Sequence, residues 1–317
     1  MTSRGGSTPH RTRRGAHHND PPFIPASSRG GGRLCAARAS SRAHPNQIKN
    51  IVTFGDSYSD IVLAGDGGTA WPLYVARYAD LTLYPFARAG ATCSNNLTFR
   101  PFPSIFESQL PLYFTEKQNG TLELNPEETV YTLWIGTNDV GVNSIITGSQ
   151  TPGVTVVNTT ECAINWVKTL YQSGARNFIF QNMIPLQHTI LYSADSYPNH
   201  YWTAPRNTTE WSVYMTELVN SGNALSKLML QNLAPTLHGS HLGLFDSYGL
   251  FSDILSNPQD FLNGTAPLNV TAPYSRASSN FMWFDELHPS EQTDRVLARQ
   301  LANGIRRESS PWLTWLT

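Results

Sequence analysis

Ile51-Val52-Thr53-Phe54-Gly55-Asp56-Ser57-Tyr58-Ser59-Asp60 is the stretch from which the rest of the 317-residue chain is read. An apolar, β-branched run that breaks into Gly-Asp-Ser and then turns polar describes a strand whose end presents a serine. Ser57 is therefore the candidate nucleophile. Alone the triplet says little. It arises by chance in roughly one chain of this length in ten, and an ordinary strand-end turn accounts for it equally well.

Outward from this stretch the same alternation recurs. Residues 69–78 (TAWPLYVARY) read as a short helix with Trp71, Tyr74, Val75 and Tyr78 on one face. Residues 81–86 form the next strand and empty into Ala87-Arg88-Ala89-Gly90-Ala91-Thr92-Cys93. A helix over 104–117, kinked at Pro111, precedes the clearest buried strand, 129–135 (TVYTLWI), which stops at Gly136-Thr137-Asn138-Asp139. A helix over 162–172, capped by Gly174, leads to a fourth strand at 177–183. A long helical pattern over 210–233, interrupted at Ser221-Gly222, leads to a fifth at 241–245. Residues 257–279, holding Pro258, Pro267 and Pro273, read as surface loop, and Asp285-Glu286-Leu287-His288-Pro289 enters a last helix over 290–307. There is no internal repeat. Strands alternating with helices mean βαβ units and an α/β fold with a parallel sheet covered on both faces. In such sheets the active site lies beyond the carboxyl ends of the strands.

Composition sets the outer bounds. No apolar run approaches the roughly 20 residues of a membrane-spanning helix, so no membrane span is expected. The net charge of −1 hides an asymmetry: residues 1–50 carry +8 and the remainder −9. An acidic folded part argues against nucleic acid as a partner. The three cysteines, Cys35, Cys93 and Cys162, allow at most one intramolecular disulfide and fit no zinc pattern. If the protein is secreted, Cys93 with Cys162 is the only pair wholly inside the expected domain. His188, His200, His238 and His241 are not spaced as a ligand set and read as ordinary loop or core residues. No metal or cofactor is expected. Asn-x-Ser/Thr sequons begin at Asn96, Asn119, Asn158, Asn207, Asn263 and Asn269, a modest excess over chance that leans toward a secretory route.

Residues 1–47 are rich in Gly, Ser, Arg, His and Pro and cannot bury enough surface to offset their ordering entropy, so disorder is expected there. They also lack the apolar core of a secretory signal. An organelle transit peptide, a solvated basic arm and a gene model whose true first exon carried a signal peptide all compete; the last is favoured. Residues 48–317 then form one domain, expected to act as a secreted monomer.

A serine hydroxyl becomes a useful nucleophile only when a base takes its proton and a third group fixes the base. Asp285 and His288, three residues apart before the last helix, let one loop deliver both, although a helix-entry segment with a capping Asp and a surface His is the commoner meaning of that spacing. The attack also builds a negative oxygen that needs donors. The N–H groups of Ser57 and Gly90 and the side-chain amide of Asn138 are the candidates: glycine permits close backbone approach, and asparagine supplies a neutral NH2. Together the three polar motifs have a chance frequency on the order of 10⁻⁴, which makes coincidence the poorer account.

Phe54-Gly55-Asp56-Ser57-Tyr58, Ala89-Gly90-Ala91, Gly136-Thr137-Asn138-Asp139 and Asp285-Glu286-Leu287-His288-Pro289 resemble, in that order, the blocks of the SGNH or GDSL-type serine hydrolases. The resemblance covers residues 47–307. Within that family, Tyr58 and the run from Gly90 to Asn95 look most like the fungal-type acetylesterases of carbohydrate-esterase family sixteen. The resemblance implies a three-layer α/β/α sandwich with a flavodoxin-like parallel five-stranded sheet. It implies Ser57 as nucleophile and oxyanion donor, Gly90 and Asn138 as further donors, His288 as base and Asp285 as its orienter. Tyr58 stands where the family name has Leu, and Phe284 where many members have Trp; both bear on pocket shape rather than mechanism. The G-x-S-x-G elbow of α/β-hydrolases is absent. The expected reaction is hydrolysis of short acyl, chiefly acetyl, esters on saccharides or other small esters, with Tyr58, Trp71, Trp134, Trp202 and Trp283 as sugar-stacking faces if they are not simply core. The alternatives are a lipase-like carboxylesterase for longer acyl chains and a catalytically inactive carbohydrate-binding protein.

Overall fold

The computed structural model describes residues 47–62, 68–264, 267–273 and 279–317. The expected disordered segment, but for Gln47, lies outside the described residues. In chain order the elements begin with β1 (Asn50–Gly55), α1 (Trp71–Ala79), β2 (Thr82–Pro85), α2 (Leu110–Gln118), β3 (Thr129–Trp134) and α3 (Thr137–Val140). They continue with α4 (Val156–Gln172), β4 (Asn177–Gln181), α5 (Thr208–Leu233), β5 (His241–Phe245) and α6 (Ser247–Ser256). Last come β6 (Asn269–Pro273), β7 (Phe281–Trp283), α7 (Glu291–Ile305) and β8 (Leu313–Trp315).

The main sheet has the order β2-β1-β3-β4-β5-β8. The first five strands are parallel, as the alternation requires, and β8 lies antiparallel on the edge against β5. Register aligns Gly55 with Trp134, Trp134 with Gln181 and Gln181 with Phe245, so the carboxyl ends of four strands form one level edge. Alternating residues feed two cores. Ile51, Val130, Trp134, Ile179 and Phe245 pack with Trp71 of α1, Phe251 of α6 and Leu297 of α7. Val52, Phe54, Leu133, Phe178 and Leu242 pack with Tyr113 of α2 and Trp166 and Leu170 of α4. Burial on both faces is why these strands read as continuous apolar runs rather than alternating ones. The result is the α/β sandwich expected, with helices covering both sides of the sheet.

Several local readings change. Gly222 does not interrupt α5: it stays helical because a Cβ there would lie 2.6 Å from Met183 Cε, so the glycine answers a packing need. Pro111, where a kink is expected, is the second residue of α2, which continues directly from a π-helical turn over Ile105–Gln109. α4 starts at Val156, capped by Thr155 and Asn158, six residues before the apolar pattern becomes visible. The loop over 257–279 contains β6, which pairs with β7. α6 and β8 have no counterpart in the sequence reading.

Candidate active site

Gly55 ends β1 at φ +151°, and a Cβ on it would lie 2.4 Å from the Trp134 carbonyl of the neighbouring strand. The buried Gln109 side chain then holds this peptide from both sides: Gly55 N–H donates to Oε1 at 3.1 Å, and Nε2 donates to the Gly55 carbonyl at 2.8 Å. The chain turns at once. Tyr58 N–H donates to Asp56 Oδ1 and Ser59 N–H to the Asp56 carbonyl, both at 3.0 Å. This turn leaves Ser57 half-buried between residues that are all buried.

Carboxylates tie the neighbouring loops to this turn. Asp60 Oδ2 accepts Ala89 N–H at 2.8 Å, fixing the loop that carries Gly90. Gly90 itself has φ +75°, a left-handed backbone that favours glycine, and its Cα faces the Phe102 ring. Asp139 of α3 accepts Cys93 N–H at 3.0 Å and the Thr98 hydroxyl at 3.0 Å. Cys93 is also bonded to Cys162 of α4, with a Cα–Cα distance of 6.2 Å. Asn138, beside Asp139, donates from Nδ2 to the Ala91 carbonyl at 2.9 Å and accepts Arg100 Nη1 on Oδ1 at 2.9 Å. The guanidinium thereby decides which way the amide faces, and one amide hydrogen remains beyond the bond to Ala91. Among the described residues, neither Ser57 N–H nor Gly90 N–H has a protein acceptor.

The loop between β7 and α7 brings the remaining pair. Asp285 Oδ1 accepts the N–H groups of Leu287 (2.8 Å) and His288 (2.6 Å), which curls the loop back on itself. The Tyr58 hydroxyl donates to the Leu287 carbonyl at 3.0 Å and docks this loop on the Ser57 turn. His288 Nδ1 lies 2.9 Å from Asp285 Oδ2, and Nε2 lies 2.8 Å from Ser57 Oγ. With Nδ1 protonated toward the carboxylate, Nε2 accepts the serine proton. The structure thus joins Ser57, His288 and Asp285 in one hydrogen-bonded chain, ties the Gly90 loop to the Ser57 turn and ties Asn138 of α3 to that loop.

The electrostatics follow from burial. Asp285 is held below the usual carboxylate range: burial acts to raise it, but hydrogen bonds from His288 and Tyr201 and the attraction of His288 outweigh that. Burial pushes Asp56 up to about 7 and Asp139 up to about 6, against hydrogen bonds from Tyr58 N–H and Cys93 N–H respectively. Burial also lowers Arg100, opposed by Tyr192, Asp139 and Asp56.

A family model described as GDSL-like Lipase/Acylhydrolase matches residues 51–301. The chain belongs to the GDSL/SGNH hydrolase family. It is a hydrolase of ester bonds. Among curated proteins, an acetylesterase from Hypocrea jecorina is 28% identical over 326 aligned positions, covering 85% of this chain and 92% of that one. An acetylesterase from Thermothelomyces thermophilus is 23% identical over 290 positions, covering 83% and 90%. Among solved structures, a catalytic mutant of an acetylxylan esterase from Geobacillus stearothermophilus superposes with a TM-score of 0.48 at 11% identity, covering 82% of this chain and 95% of that one.

For a GDSL hydrolase, the second residue after the motif's aspartate does more here than shape a pocket. Tyr58 is buried, holds the His288 loop by its hydroxyl and sets its ring edge-on to the imidazole at 5.7 Å. The sugar-stacking reading also changes: Trp71, Trp134 and Trp283 are at most 1% exposed and Tyr58 is 2%, because they fill the sheet-facing core. Trp202 is half-buried against Trp211. An exposed ring beside the candidate oxyanion site is Phe102, at 42%, which lies against Gly90. His200 lies in the loop as expected, its ring tilted against Tyr201 at 3.8 Å and its Nδ1 3.3 Å from Glu286. Sequence reasoning missed Gln109, Arg100 and Tyr201. A lone glutamine in a helix and a lone tyrosine in a polar loop carry no signal; only Arg100, set among Phe99, Pro101, Phe102 and Pro103, stands out from its surroundings.

Proposed function

We propose that the chain is a secreted, monomeric serine esterase that removes short acyl groups, chiefly acetyl, from saccharides through an acyl-Ser57 intermediate. The observation that carries this reading is the continuous hydrogen-bonded chain from Ser57 Oγ through His288 to Asp285. Ser57 Oγ attacks the ester carbonyl as its proton passes to His288 Nε2. The carbonyl oxygen gains negative charge and is held by Ser57 N–H, Gly90 N–H and Asn138 Nδ2. As the tetrahedral intermediate collapses, the bond to the alcohol breaks and that alcohol leaves with the imidazolium proton. Water then enters, gives a proton to Nε2 and attacks the acyl carbon; as the acyl–Oγ bond breaks, that proton passes to Ser57 Oγ and the acid is released. Asp285 holds the imidazole and stabilises its charged form.

The acyl preference rests on the two acetylesterase relatives, and the saccharide on the resemblance to carbohydrate-esterase family sixteen. Phe102 supplies an exposed aromatic face beside Gly90 for a sugar ring. The Cys93–Cys162 disulfide and the six sequons support an oxidising, secretory compartment. Among the described residues no helix is long and apolar enough to cross a membrane. The same exposed ring would also receive a longer acyl chain, which favours the lipase-like alternative. Hydrolysis of p-nitrophenyl acetate, the octanoate ester and acetylated xylo-oligosaccharides separates the readings. Highest kcat/KM on the acetylated sugar, abolished in Ser57→Ala, is expected; preference for octanoate replaces the substrate assignment.

A further inference from the structure

We propose that Tyr201 is a positioning residue that shares the Asp285 carboxylate with His288 and thereby limits how strongly the charged imidazolium is held. The inference rests on the Ser57–His288–Asp285 mechanism above. The Tyr201 hydroxyl donates to Asp285 Oδ2 at 2.6 Å, and its oxygen lies 2.8 Å from His288 Nδ1. The hydroxyl carries one proton, which goes to the carboxylate as the stronger acceptor; its lone pairs then face Nδ1–H. Nδ1–H is therefore shared among the phenol oxygen, Oδ2 and, at 3.1 Å, Oδ1.

The carboxylate is fully subscribed. Oδ1 takes two backbone N–H groups, and Oδ2 takes the phenol and the imidazole. Each donor lowers the charge left to stabilise an imidazolium. Burial and the adjacent Asp285 push the phenol above its ordinary range, so it stays a donor throughout the working pH.

The loop that carries Tyr201 is built to hold this contact. Arg206 Nη2 donates to the carbonyls of Leu191 and Tyr197, and Leu191 N–H donates to the Glu286 carbonyl at 2.8 Å. Tyr197 and His200 both reach the Glu286 carboxylate, and the His200 ring lies over Tyr201. Tyr192 adds an electrostatic contribution at Tyr201. From the other side the imidazole faces the Tyr58 ring and feels the Asp56 carboxylate, which in turn feels Arg100 and Asp139. Of all these groups only Tyr201 touches both Asp285 and His288 with a polar atom.

Removing the phenol hydroxyl takes one neutral acceptor from Nδ1–H but returns to the carboxylate the charge that the phenol proton had drawn off; the ionised acceptor is the stronger of the two, so the charged form gains. The test is the pH profile of kcat/KM on p-nitrophenyl acetate, normalised to the fraction of enzyme labelled by a fluorophosphonate. Tyr201→Phe is expected to move the acid limb up by about half to one pH unit, with the plateau lowered a few-fold through kcat and KM unchanged. Tyr201→3-fluorotyrosine, a stronger donor of unchanged shape, moves the limb down. Asp56→Asn in the Tyr201→Phe background keeps the upward shift, because Asp56 is not its source. A lower plateau with an unmoved limb in both Tyr201 variants makes the residue merely structural and overturns the proposal. Ser57→Ala retaining the wild-type rate overturns the mechanism itself and this inference with it.

Discussion

Gly90→Ala puts a methyl group where the structure has neither the backbone conformation nor the space for it. At φ +75° a non-glycine residue costs roughly 1–2 kcal/mol, and the new Cβ would sit 2.5 Å from the Phe102 ring. That ring is 42% exposed and swings outward cheaply, so the collision adds little. A loss of about 2 kcal/mol corresponds to a drop of about 4–8 °C in Tm for a chain of this size. The rate suffers more. Relaxing φ turns the Gly90 N–H away from the developing oxyanion, and loss of one such donor costs about 10²–10³ in kcat. Gly90→Ala combined with Phe102→Ala relieves the collision but not the backbone, so little stability returns and kcat stays low. Steady-state kinetics on p-nitrophenyl acetate, with thermal melts of the same samples, measure both. A Gly90→Ala enzyme within ten-fold of the wild-type kcat removes Gly90 from the oxyanion site.

Arg100→Met leaves Asn138 Oδ1 without its charged donor, so the amide is free to turn over; kcat on a neutral ester should fall roughly ten- to a hundred-fold with KM little changed. Unchanged turnover shows that the bond to Ala91 orients the amide by itself. Burial raises Asp56 above its unfolded value, so its contribution to stability is full below about pH 4 and is lost as pH rises through about 7. Asp56→Asn abolishes that dependence, and its unfolding free energy should gain on the wild type between pH 4 and 8, by at most about 4 kcal/mol; stability curves that stay parallel across that range contradict the assignment. Cys162→Ser opens a loop of 69 residues and should cost about 4 kcal/mol of stability by chain entropy. Because Asp139 still holds Cys93 N–H, kcat at 25 °C should stay within a few-fold, as kinetics and denaturant melts can check.

The residues that bear the chemistry are legible in the sequence where local backbone dictates them. Gly55 is needed because the Trp134 carbonyl leaves no room for a Cβ, and Asp285 is needed three residues before His288 because its carboxylate caps both following N–H groups. Such constraints write short fixed motifs into the chain. The parallel sheet is equally plain, since strands buried on both faces are mostly apolar, with Thr53, Thr132 and Gln181 among the buried polar exceptions within them that still leave the runs readable. Gln109, Arg100 and Tyr201 act across 54, 38 and 84 residues of sequence, and no local rule requires them. β8 escapes for another reason: three residues are too few to show a period, and only docking on β5 makes Leu313–Trp315 a strand. The aromatic residues mislead as sugar platforms because type alone cannot tell a core tryptophan from an exposed one.

The central claim is that Ser57 carries the acyl group. Intact-mass and peptide mass spectrometry after reaction with a fluorophosphonate test it directly. The account predicts one adduct per chain, on the peptide containing Ser57, with loss of esterase activity in step, no labelling in Ser57→Ala and labelling slowed by orders of magnitude in His288→Ala. An unlabelled Ser57, or an adduct elsewhere while Ser57→Ala still hydrolyses esters, would contradict it.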